Sequence, residues 1–371
     1  MKLLLLDNSS LTPINGDYCI DPKTGAFVKE LQGLGNEVTI YGQKVEAKDT
    51  THTYRLLENG LKVVGLKRKK NKLLNYILLY LRIIPEIVKT DFVYVFYPTA
   101  YKYVAVLCWL FNKKYGLYIR GEKDLNNKVT EWICKKAFVI FTVSEYFTRI
   151  VCDTAGKNNV FTIRPMIPFT EKDVMKNRSY KGEGTLKALY LGRVTEDKGI
   201  KELIHAMSRL KKNKHNLELT IVGSGGFMSN AKALVEELEV DDIVHLMGAV
   251  DDSIQVADYF KKSDIYILPT YHEGFPRTLY EAMIFGTPVI TTFVGGISGL
   301  MKDGYNCKEI RPKSVESIVG ALEFAVNNYD KMIEYAKNGT ETVLKVVDSK
   351  RMTHAEHLNE VIRIDNNGEK S

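Results

Sequence analysis

The stretch Glu273-Gly-Phe-Pro-Arg-Thr-Leu-Tyr-Glu281, followed by Ala282-Met283 and Gly286-Thr-Pro-Val-Ile290, carries the strongest signal in this chain. It comes directly after the apolar run at residues 265–268 and places two carboxylates across a loop and a helix start. Because Pro276 suits the start of a helix, the first helical amides should point outward without intrahelical partners. These amides, of Arg277, Thr278 and Leu279, lie at the positive end of the helix dipole and suit a phosphate. Carboxylates accept hydrogen bonds from hydroxyls, so the segment favours a nucleotide-sugar site.

The same letters also allow a purely structural interpretation. Thr278-x-x-Glu281 has the spacing of a capping box, in which the glutamate only satisfies an amide at the helix start. Taken alone, the segment fits this alternative at least as well, so the rest of the chain has to decide between the two.

Length and composition indicate an ordinary globular protein with room for two domains. The chain has 371 residues, of which 45% are hydrophobic and 26% charged. The apolar runs at residues 3–6 and 103–111 are too short for a signal-peptide core or a membrane span, so we expect no crossing of a membrane. Five cysteines without a C-x-x-C pair favour reduced thiols in a cytoplasm and argue against a zinc site.

The net charge of +7 is unevenly distributed. Residues 1–168 contain 25 Lys and Arg against 15 Asp and Glu, so the excess of positive charge lies in the first half. Much of it lies at Lys67-Arg-Lys-Lys70 and Lys72, directly before an amphipathic stretch at residues 73–84. A basic cluster beside such a helix is typical of proteins that sit on an anionic membrane surface. The alternative is a core helix with a solvated basic loop, and a nucleic-acid patch is a weaker third interpretation because no nucleic-acid module accompanies it.

Short apolar runs alternate with helical stretches along the whole chain. In the first half the predicted strands cover residues 3–6, 38–41, 62–66, 92–97, 117–120, 138–143 and 160–163; in the second half they cover residues 186–191, 217–222, 243–247, 265–268 and 288–292. This pattern is typical of parallel sheets covered by helices on both faces. Periodicity is lost between residues 165 and 185, which we interpret as a linker. The chain is therefore predicted to be α/β, with Rossmann-like doubly wound domains at residues 1–167 and 168–348 facing each other across a cleft, and a last helix at about residues 349–364 that returns to the first.

Two further motifs in the second half suit a diphosphate. Gly192-Arg193 ends one predicted strand, and Lys198-Gly199 begins the next helix, so that an arginine and a lysine flank a single loop. Two cations in this position can hold a diphosphate from both sides. Glycine-rich turns follow two other strands, at Gly223-Ser-Gly-Gly226 and Gly295-Gly296, where backbone amides can approach a ligand closely. Each motif is weak alone, and surface arginines and lysines are commonly just solvated.

Together these motifs resemble the donor-binding domain of the retaining GT-B glycosyltransferases of family 4, the glycosyl transferases group 1. The matching pattern runs in order over roughly residues 186–306 as Gly192-Arg193, Lys198-Gly199, Pro269-Thr-Tyr-His-Glu-Gly-Phe-Pro276, Glu281-Ala-Met283, Gly286-Thr-Pro-Val-Ile290, Gly295-Gly296 and Asp303-Gly304. The chain departs from the family at residues 297–300, where a glutamate is common, and at Cys307, where a glycine is usual.

The resemblance implies a role for each matched residue. Arg193 and Lys198 would hold the diphosphate, Glu273 would orient the donor sugar, and Glu281 would bind the ribose. The rest of the implied donor site is Gly192, Gly223, Gly274, Phe275, Pro276, Arg277, Thr278, Leu279, Gly295 and Gly296. No metal or other cofactor is implied, since helix amides and basic side chains can neutralise the leaving diphosphate.

The first half resembles the family in layout only. Arg120 stands at a predicted strand end where relatives often have His-Gly, and it would reach the donor phosphate or the acceptor unless its role is structural. Gly16 lies in the first strand-to-helix connection, where the family has a glycine-rich loop near the acceptor. His272, beside Glu273, is a weaker catalytic candidate.

The resemblance implies a hexosyltransferase that moves a sugar from a UDP-sugar or GDP-sugar to an acceptor hydroxyl with retention of configuration. The basic, amphipathic first half favours a lipid-linked acceptor in capsule or O-antigen assembly, with the protein peripheral on the inner face of the cell membrane. Two other functions fit the same architecture. These are a nucleotide-sugar epimerase, which needs no acceptor, and a partner subunit that keeps the fold without turnover.

Overall fold

The computed structural model describes residues 1–7, 10–45, 52–97, 101–121, 125, 127–156, 159–180, 184–250 and 252–368, with side chains to residue 364. The chain divides into two compact units. Unit 1 comprises Met1–Met166 together with Arg351–Ser371, and unit 2 comprises Ile167–Lys350.

The strands and helices alternate in both units. The strands are β1 (Lys2–Leu6), β2 (Thr12–Ile14), β3 (Asp17–Ile20), β4 (Glu37–Lys44), β5 (Tyr54–Arg55), β6 (Lys62–Lys67), β7 (Phe92–Tyr97), β8 (Lys114–Ile119), β9 (Val139–Thr142), β10 (Val160–Thr162), β11 (Leu186–Leu191), β12 (Leu217–Val222), β13 (Val244–Gly248), β14 (Ile265–Leu268), β15 (Val289–Thr292) and β16 (Lys308–Ile310). The α-helices are α1 (Pro22–Gly33), α2 (Lys72–Lys89), α3 (Val104–Leu110), α4 (Lys128–Lys136), α5 (Glu145–Ala155), α6 (Ile200–Lys212), α7 (Met228–Glu237), α8 (Ser253–Lys262), α9 (Arg277–Ile284), α10 (Val315–Asn327), α11 (Tyr329–Val347) and α12 (His354–Gly368).

Each unit contains one large parallel sheet. The strand order is β10-β9-β8-β7-β1-β4-β6 in unit 1 and β13-β12-β11-β14-β15-β16 in unit 2. The predicted α/β fold class and the predicted main strands are therefore confirmed, with β11, β12 and β14 found at the predicted bounds.

The core of unit 1 lies on both faces of its sheet, as near-continuous apolar strands require. Leu4 and Leu6 of β1 pack in one hydrophobic cluster, whereas Leu3 and Leu5 pack in the other. All four are at most 2% exposed, and full burial of each leucine contributes roughly 2 kcal/mol. Successive side chains of β1 therefore lie on opposite faces of the sheet, and each face has its own hydrophobic cluster.

The sequence interpretation missed a small antiparallel sheet, β2-β3-β5, in unit 1. Asn15 and Gly16 have φ of 49° and 82° and form the two-residue turn between β2 and β3. Two positive φ values in succession are what such a hairpin demands, and Asn-Gly is its usual sequence. Gly16 therefore lies at a hairpin turn within the connection from β1 to α1, and its role near the acceptor stays a prediction.

The segment that we interpreted as a linker is anchored to unit 2 by Arg178. Its Nη1 donates to the carbonyls of Phe260 and Phe285 at 3.1 and 2.9 Å and to Thr287 Oγ1 at 2.7 Å. Its Nη2 donates to the carbonyl of Lys261 at 3.2 Å. Carbonyls at helix ends lack intrahelical donors, so one guanidinium satisfies the ends of both α8 and α9.

Helix α12 belongs to unit 1 and packs on α1. Asn36 donates to Asn359 Oδ1 at 2.9 Å, and the buried ring of His354 lies 2.6 Å from the Tyr94 hydroxyl through Nε2. Burial, with a smaller contribution from His357, lowers the pKa of His354 to about 3. No helix among the described residues is both long and apolar enough to cross a membrane.

The buried His354 predicts that acid weakens unit 1. Folded His354 stays neutral down to about pH 3, whereas the unfolded residue takes up a proton below about pH 6.5. As the pH is lowered through this range, the free energy of unfolding should therefore decrease. The contribution of His354 to this decrease is about 2 kcal/mol between pH 6.5 and pH 5. Hydrogen exchange of the β7 amides at pH 7 and pH 5 measures this change in the free energy of unfolding. The variant His354→Phe should have a shallower dependence, and equal dependence in both proteins would contradict the prediction.

Candidate functional site

The candidate site of unit 2 lies where parallel strands β11 and β14 end side by side. Ala188 pairs with Ile265 and Leu189 with Tyr266, so both chains leave the sheet at the same edge. The Gly192-Arg193 turn follows β11, and the loop with Thr270, His272 and Glu273 follows β14. The sheet thereby brings together two motifs that are 80 residues apart in the sequence. This is the edge at which open α/β sheets bind ligands.

Lys198 and Glu273 form the central contact of this edge. The Lys198 side chain is only 5% exposed, and its ammonium contacts Glu273 Oε1 directly. It also lies 3.2 Å from the carbonyl of His272, 3.4 Å from Thr270 Oγ1 and 3.6 Å from Asp197 Oδ2. A buried ammonium is tolerated only with such partners, so Lys198 holds the loop after β14 against the turn before α6.

Asp197 and Arg193 extend this charged group toward solvent. Although burial raises the pKa of Asp197, the Thr195 hydroxyl, Lys198 and Arg193 together lower it below the usual value. Arg193 itself is exposed, at the open side of the group. At this edge Lys198 is therefore a fixed cation and Arg193 an accessible one.

Two buried tyrosines, which the sequence analysis did not single out, brace the strand ends. The Tyr190 hydroxyl donates to the carbonyl of Arg193 at 2.6 Å, and the Tyr266 hydroxyl donates to Thr278 Oγ1 at 2.6 Å. Burial raises the pKa of the Tyr266 phenol; the Thr278 bond lowers it, and Tyr190, Glu281 and Glu273 raise it further. The carboxylates of Glu273 and Glu281 therefore both raise the pKa of the Tyr266 phenol. A tyrosine in an otherwise apolar strand could have indicated these contacts from the sequence, because a buried hydroxyl requires a hydrogen-bond partner.

Helix α9 begins as the sequence suggested, but its first turn differs in two details. Pro276 is the N-cap, so Thr278 is the second helical residue and Glu281 lies one turn inside, with 4% exposure. The capping-box alternative was therefore wrong. The amides of Arg277 and Thr278 have no intrahelical partner, whereas that of Leu279 donates to the Pro276 carbonyl at 3.1 Å. The expectation of three outward amides was wrong for Leu279.

The predicted site glycines permit close contact between loops. A Cβ on Gly295, whose φ is 56°, would lie 1.8 Å from the carbonyl oxygen of Glu273. Its neighbour Gly296 donates to the Gly274 carbonyl at 2.8 Å. Likewise a Cβ on Gly223 would lie 1.8 Å from the carbonyl oxygen of Gly192. These glycines let the loops after β12 and β15 pack against the central ones, which positions Glu273 and Arg193.

A second polar group beside the site was missed. The Tyr271 hydroxyl donates to Glu202 Oε2 of α6, and the ammonium of Lys313 lies 5.1 Å from the centre of the Tyr271 ring. The Tyr271 amide donates to the Asp197 carbonyl at 2.8 Å, which ties this group to the loop carrying Lys198. No local sequence signal joins these three side chains, because they come from separate elements. His272 is exposed, and only its carbonyl contacts Lys198.

Further along unit 2, the departures from the family pattern differ in burial: Ser298 and Gly299 are exposed, whereas Ile297 and Cys307 lie in the core. Ile297 and Cys307 are both fully buried, and burial raises the pKa of the Cys307 thiol. Neither side chain contacts the charged group around Lys198 in the described structure.

In unit 1, Arg120 is held at the ends of β1 and β8. Its guanidinium lies 5.1 Å from the Phe96 ring centre and 5.8 Å from that of Tyr118, with Nη2 at 3.9 Å from Asp7 Oδ1. Its side chain is 31% exposed, so it is stacked rather than freely solvated.

A comparison with known protein families finds a match within the second unit. Residues 171–342 match the family model of the glycosyl transferases group 1. The matched range lies within unit 2, and the charged edge around Lys198 lies inside it.

Individual relatives match part of the chain. An uncharacterised glycosyltransferase of Methanocaldococcus jannaschii is 32% identical over 167 residues, which are 42% of this chain and 42% of that protein. The putative teichuronic acid biosynthesis glycosyltransferase TuaC of Bacillus subtilis is 31% identical over 170 residues, 46% of this chain and 40% of that protein. The chain thus spans less than half the length of these relatives.

Solved structures extend the likeness in fold to the whole chain. The crystal structure of HepE from Anabaena in complex with UDP superposes with a TM-score of 0.72 over 99% of this chain and 100% of that one, at 15% identity. Both units therefore share the GT-B fold.

Because the loops pack closely at Gly295, we expect a methyl group there to lower stability by more than the backbone strain of its positive φ alone. Gly295→Ala must accept a positive φ, which costs about 1 kcal/mol, and must also relieve the contact with the Glu273 carbonyl, which adds about 2 kcal/mol. Gly304→Ala is the matched control, since Gly304 has a φ of 69° but its Cβ would meet nothing closer than 3.9 Å. Thermal unfolding compares them. Equal loss of stability in the two variants would contradict this account of the loop.

Proposed function

We propose that this protein is a retaining glycosyltransferase of family 4, which moves a hexose from a nucleotide-diphosphate sugar to an acceptor hydroxyl. The observation that carries the proposal is the pairing of the buried Lys198 with Glu273 at the shared end of β11 and β14, inside the range that matches the glycosyl transferases group 1 model. Arg193 is exposed in the turn after β11, and the amides of Arg277 and Thr278 at the start of α9 lack intrahelical partners. The UDP in the similarly folded HepE supports a nucleotide donor.

Each part of the edge has a distinct role in the proposal. Lys198 occupies Glu273 Oε1 and so fixes the carboxylate, which leaves Oε2 to accept hydrogen bonds from sugar hydroxyls. Arg193, exposed at the turn after β11, meets the diphosphate together with Lys198 and the amides of Arg277 and Thr278. Glu281 accepts from the ribose hydroxyls.

The chemistry follows from where charge develops. As the bond between the sugar's anomeric carbon and the diphosphate oxygen breaks, negative charge grows on the diphosphate, and preorganised cations and amides stabilise it there. The acceptor oxygen forms the new bond on the same face, and its proton passes to the leaving diphosphate. Glu273 orients the sugar and does not attack it, and no metal or cofactor takes part.

We further propose that the acceptor is lipid-linked and that the protein works peripherally at the inner face of a membrane. Helix α2 buries Leu79, Ile83 and Ile87 but exposes Leu73 and Leu81 to 71% and 59%. On α3, Trp109 and Leu110 are 55% and 62% exposed. An apolar surface next to the basic run at residues 67–72 suits an anionic bilayer. The role of TuaC in teichuronic acid biosynthesis supports a surface polysaccharide as product.

A screen of nucleotide sugars tests the donor proposal. UDP-, GDP- and ADP-sugars are added to the whole protein, and one class should raise its midpoint of thermal unfolding by several degrees, because only the folded state binds it. The best binder should then be hydrolysed slowly without an acceptor. If none of the three classes stabilises the protein, the transferase proposal fails. If the sugar is isomerised while its bond to the nucleotide stays intact, the protein is an epimerase.

The membrane proposal predicts salt-sensitive binding to anionic vesicles. Each basic residue near the headgroups contributes about 1 kcal/mol, so replacing Lys67, Arg68, Lys69 and Lys70 by Gln should weaken vesicle binding at low salt by at least about 30-fold. The double variant Lys128→Gln/Lys136→Gln removes exposed charge from α4 of the same unit and serves as the control. Co-sedimentation measures both. Equal binding by wild type and the fourfold variant, or no binding at all, would overturn the membrane proposal.

A further inference from the structure

The loop after β14 is attached to the start of α6 at a second point, which the roles above do not use. The first point is the contact of Glu273 with Lys198, just before α6. At the second, the Tyr271 hydroxyl donates to Glu202 Oε2 in the first turn of α6. Two points of attachment restrain both the position and the rotation of a short loop, whereas one point lets it pivot.

The bond between Tyr271 and Glu202 joins a protonated phenol to a carboxylate. Burial, followed by the hydrogen bond with Glu202 and by the charge of Glu202, raises the pKa of Tyr271, so the phenol keeps its proton at neutral pH. A hydrogen bond to a carboxylate is about twice as strong as one between neutral groups. Because Glu202 lies in the first turn of α6, the helix dipole also stabilises the negative charge that accepts the bond.

Lys313 contacts the ring of Tyr271 from another element. Its ammonium lies 5.1 Å from the centre of the ring, a distance that suits a cation–π contact. Lys313 directly precedes the N-cap of α10 and has a φ of 59°, in the left-handed region that side chains other than glycine seldom adopt. Such a conformation persists only where the surrounding structure holds it. The ring of Tyr271 is therefore contacted by side chains from two separate elements.

Backbone hydrogen bonds enclose the same loop. The Tyr271 amide donates to the Asp197 carbonyl at 2.8 Å, and the Gly274 carbonyl accepts from the Gly296 amide at 2.8 Å. Glu273 lies between these two bonds, so a shift of the enclosed segment moves its carboxylate. Because an amide exchanges with solvent when its bond opens, the two amides report on the position of the loop.

We propose that Tyr271 is a positioning residue for the donor sugar and that Glu202 and Lys313 hold it in place. The inference rests on the proposed transferase function, in which Glu273 orients the sugar while Arg193 and the amides of α9 bind the diphosphate. Loss of the bond between Tyr271 and Glu202 loosens the loop that carries Glu273 and leaves Arg193 and α9 unchanged. It should therefore weaken the hold on the sugar and preserve the hold on the nucleotide.

Calorimetry on the whole protein compares the best-binding nucleotide sugar from the screen of UDP-, GDP- and ADP-sugars with its nucleoside diphosphate. Tyr271→Phe should bind the nucleotide sugar about ten-fold more weakly, as expected for one lost hydrogen bond to a charged group, and the nucleoside diphosphate as tightly as wild type. Tyr329→Phe is the matched control, because its hydroxyl donates to the Asp264 carbonyl at 3.3 Å, at the opposite end of β14. It should match wild type for both ligands. Equal weakening for the two ligands in Tyr271→Phe, or no weakening, would overturn the inference.

The acceptor side of the bond has its own conservative variant. Glu202→Gln keeps a carbonyl oxygen that accepts from the phenol, whereas Glu202→Ala removes the acceptor. Glu202→Gln should therefore bind the nucleotide sugar more tightly than Glu202→Ala does. Equal losses in these two variants would contradict the role of the hydrogen bond.

Hydrogen exchange without ligand separates this inference from the proposed function. The amides of residue 271 and Gly296 should exchange faster in Tyr271→Phe than in wild type or Tyr329→Phe, while the β12 amides keep their rates. Equal rates in the three proteins would overturn the inference. If wild type binds no nucleotide sugar, the proposed function fails, and the exchange rates still decide whether Tyr271 holds the loop.

Discussion

A buried ammonium is the constraint on which the candidate site of unit 2 depends. Lys198 is almost removed from solvent, and an unpaired charge there would be destabilising by several kcal/mol. It is stable because Glu273, Asp197 and the carbonyl of His272 surround it. Since these partners come from the loops after β11 and β14, satisfying one lysine fixes the relative position of both loops. The contact with Lys198 therefore holds the Glu273 carboxylate in a fixed position at the sheet edge.

The neighbouring residues serve the same end. Gly295 and Gly223 let adjacent loops touch the central ones, and the hydroxyls of Tyr190 and Tyr266 tie the loops back to their strands. The site is thus positioned by strand ends and backbone contacts, with Arg193 as the accessible cation. Unit 1 shows the opposite arrangement, in which the cations at residues 68–72 are exposed around a cavity. A fixed pair suits the orientation of a bound ligand, whereas exposed cations suit contact with an anionic surface.

The sequence predicted what depends on local pattern. Apolar runs such as residues 186–191 marked the strands, and Pro276 marked the start of α9. It did not predict contacts that depend on tertiary approach, such as the pairing of Lys198 with Glu273 or the group formed by Tyr271, Glu202 and Lys313. The hairpin at Asn15-Gly16 was not predicted, although Asn-Gly is a local turn signal, because β2 and β3 are too short to show a strand pattern.

The most direct test of the central claim is a double-mutant cycle on Lys198 and Glu273. The affinity of wild type, Lys198→Met, Glu273→Gln and the double variant for the best-binding nucleotide sugar is measured by calorimetry. If the two side chains act as one unit, each single change should weaken binding at least about ten-fold, and the double variant should be no weaker than the worse single one. Losses that multiply in the double variant would contradict the account.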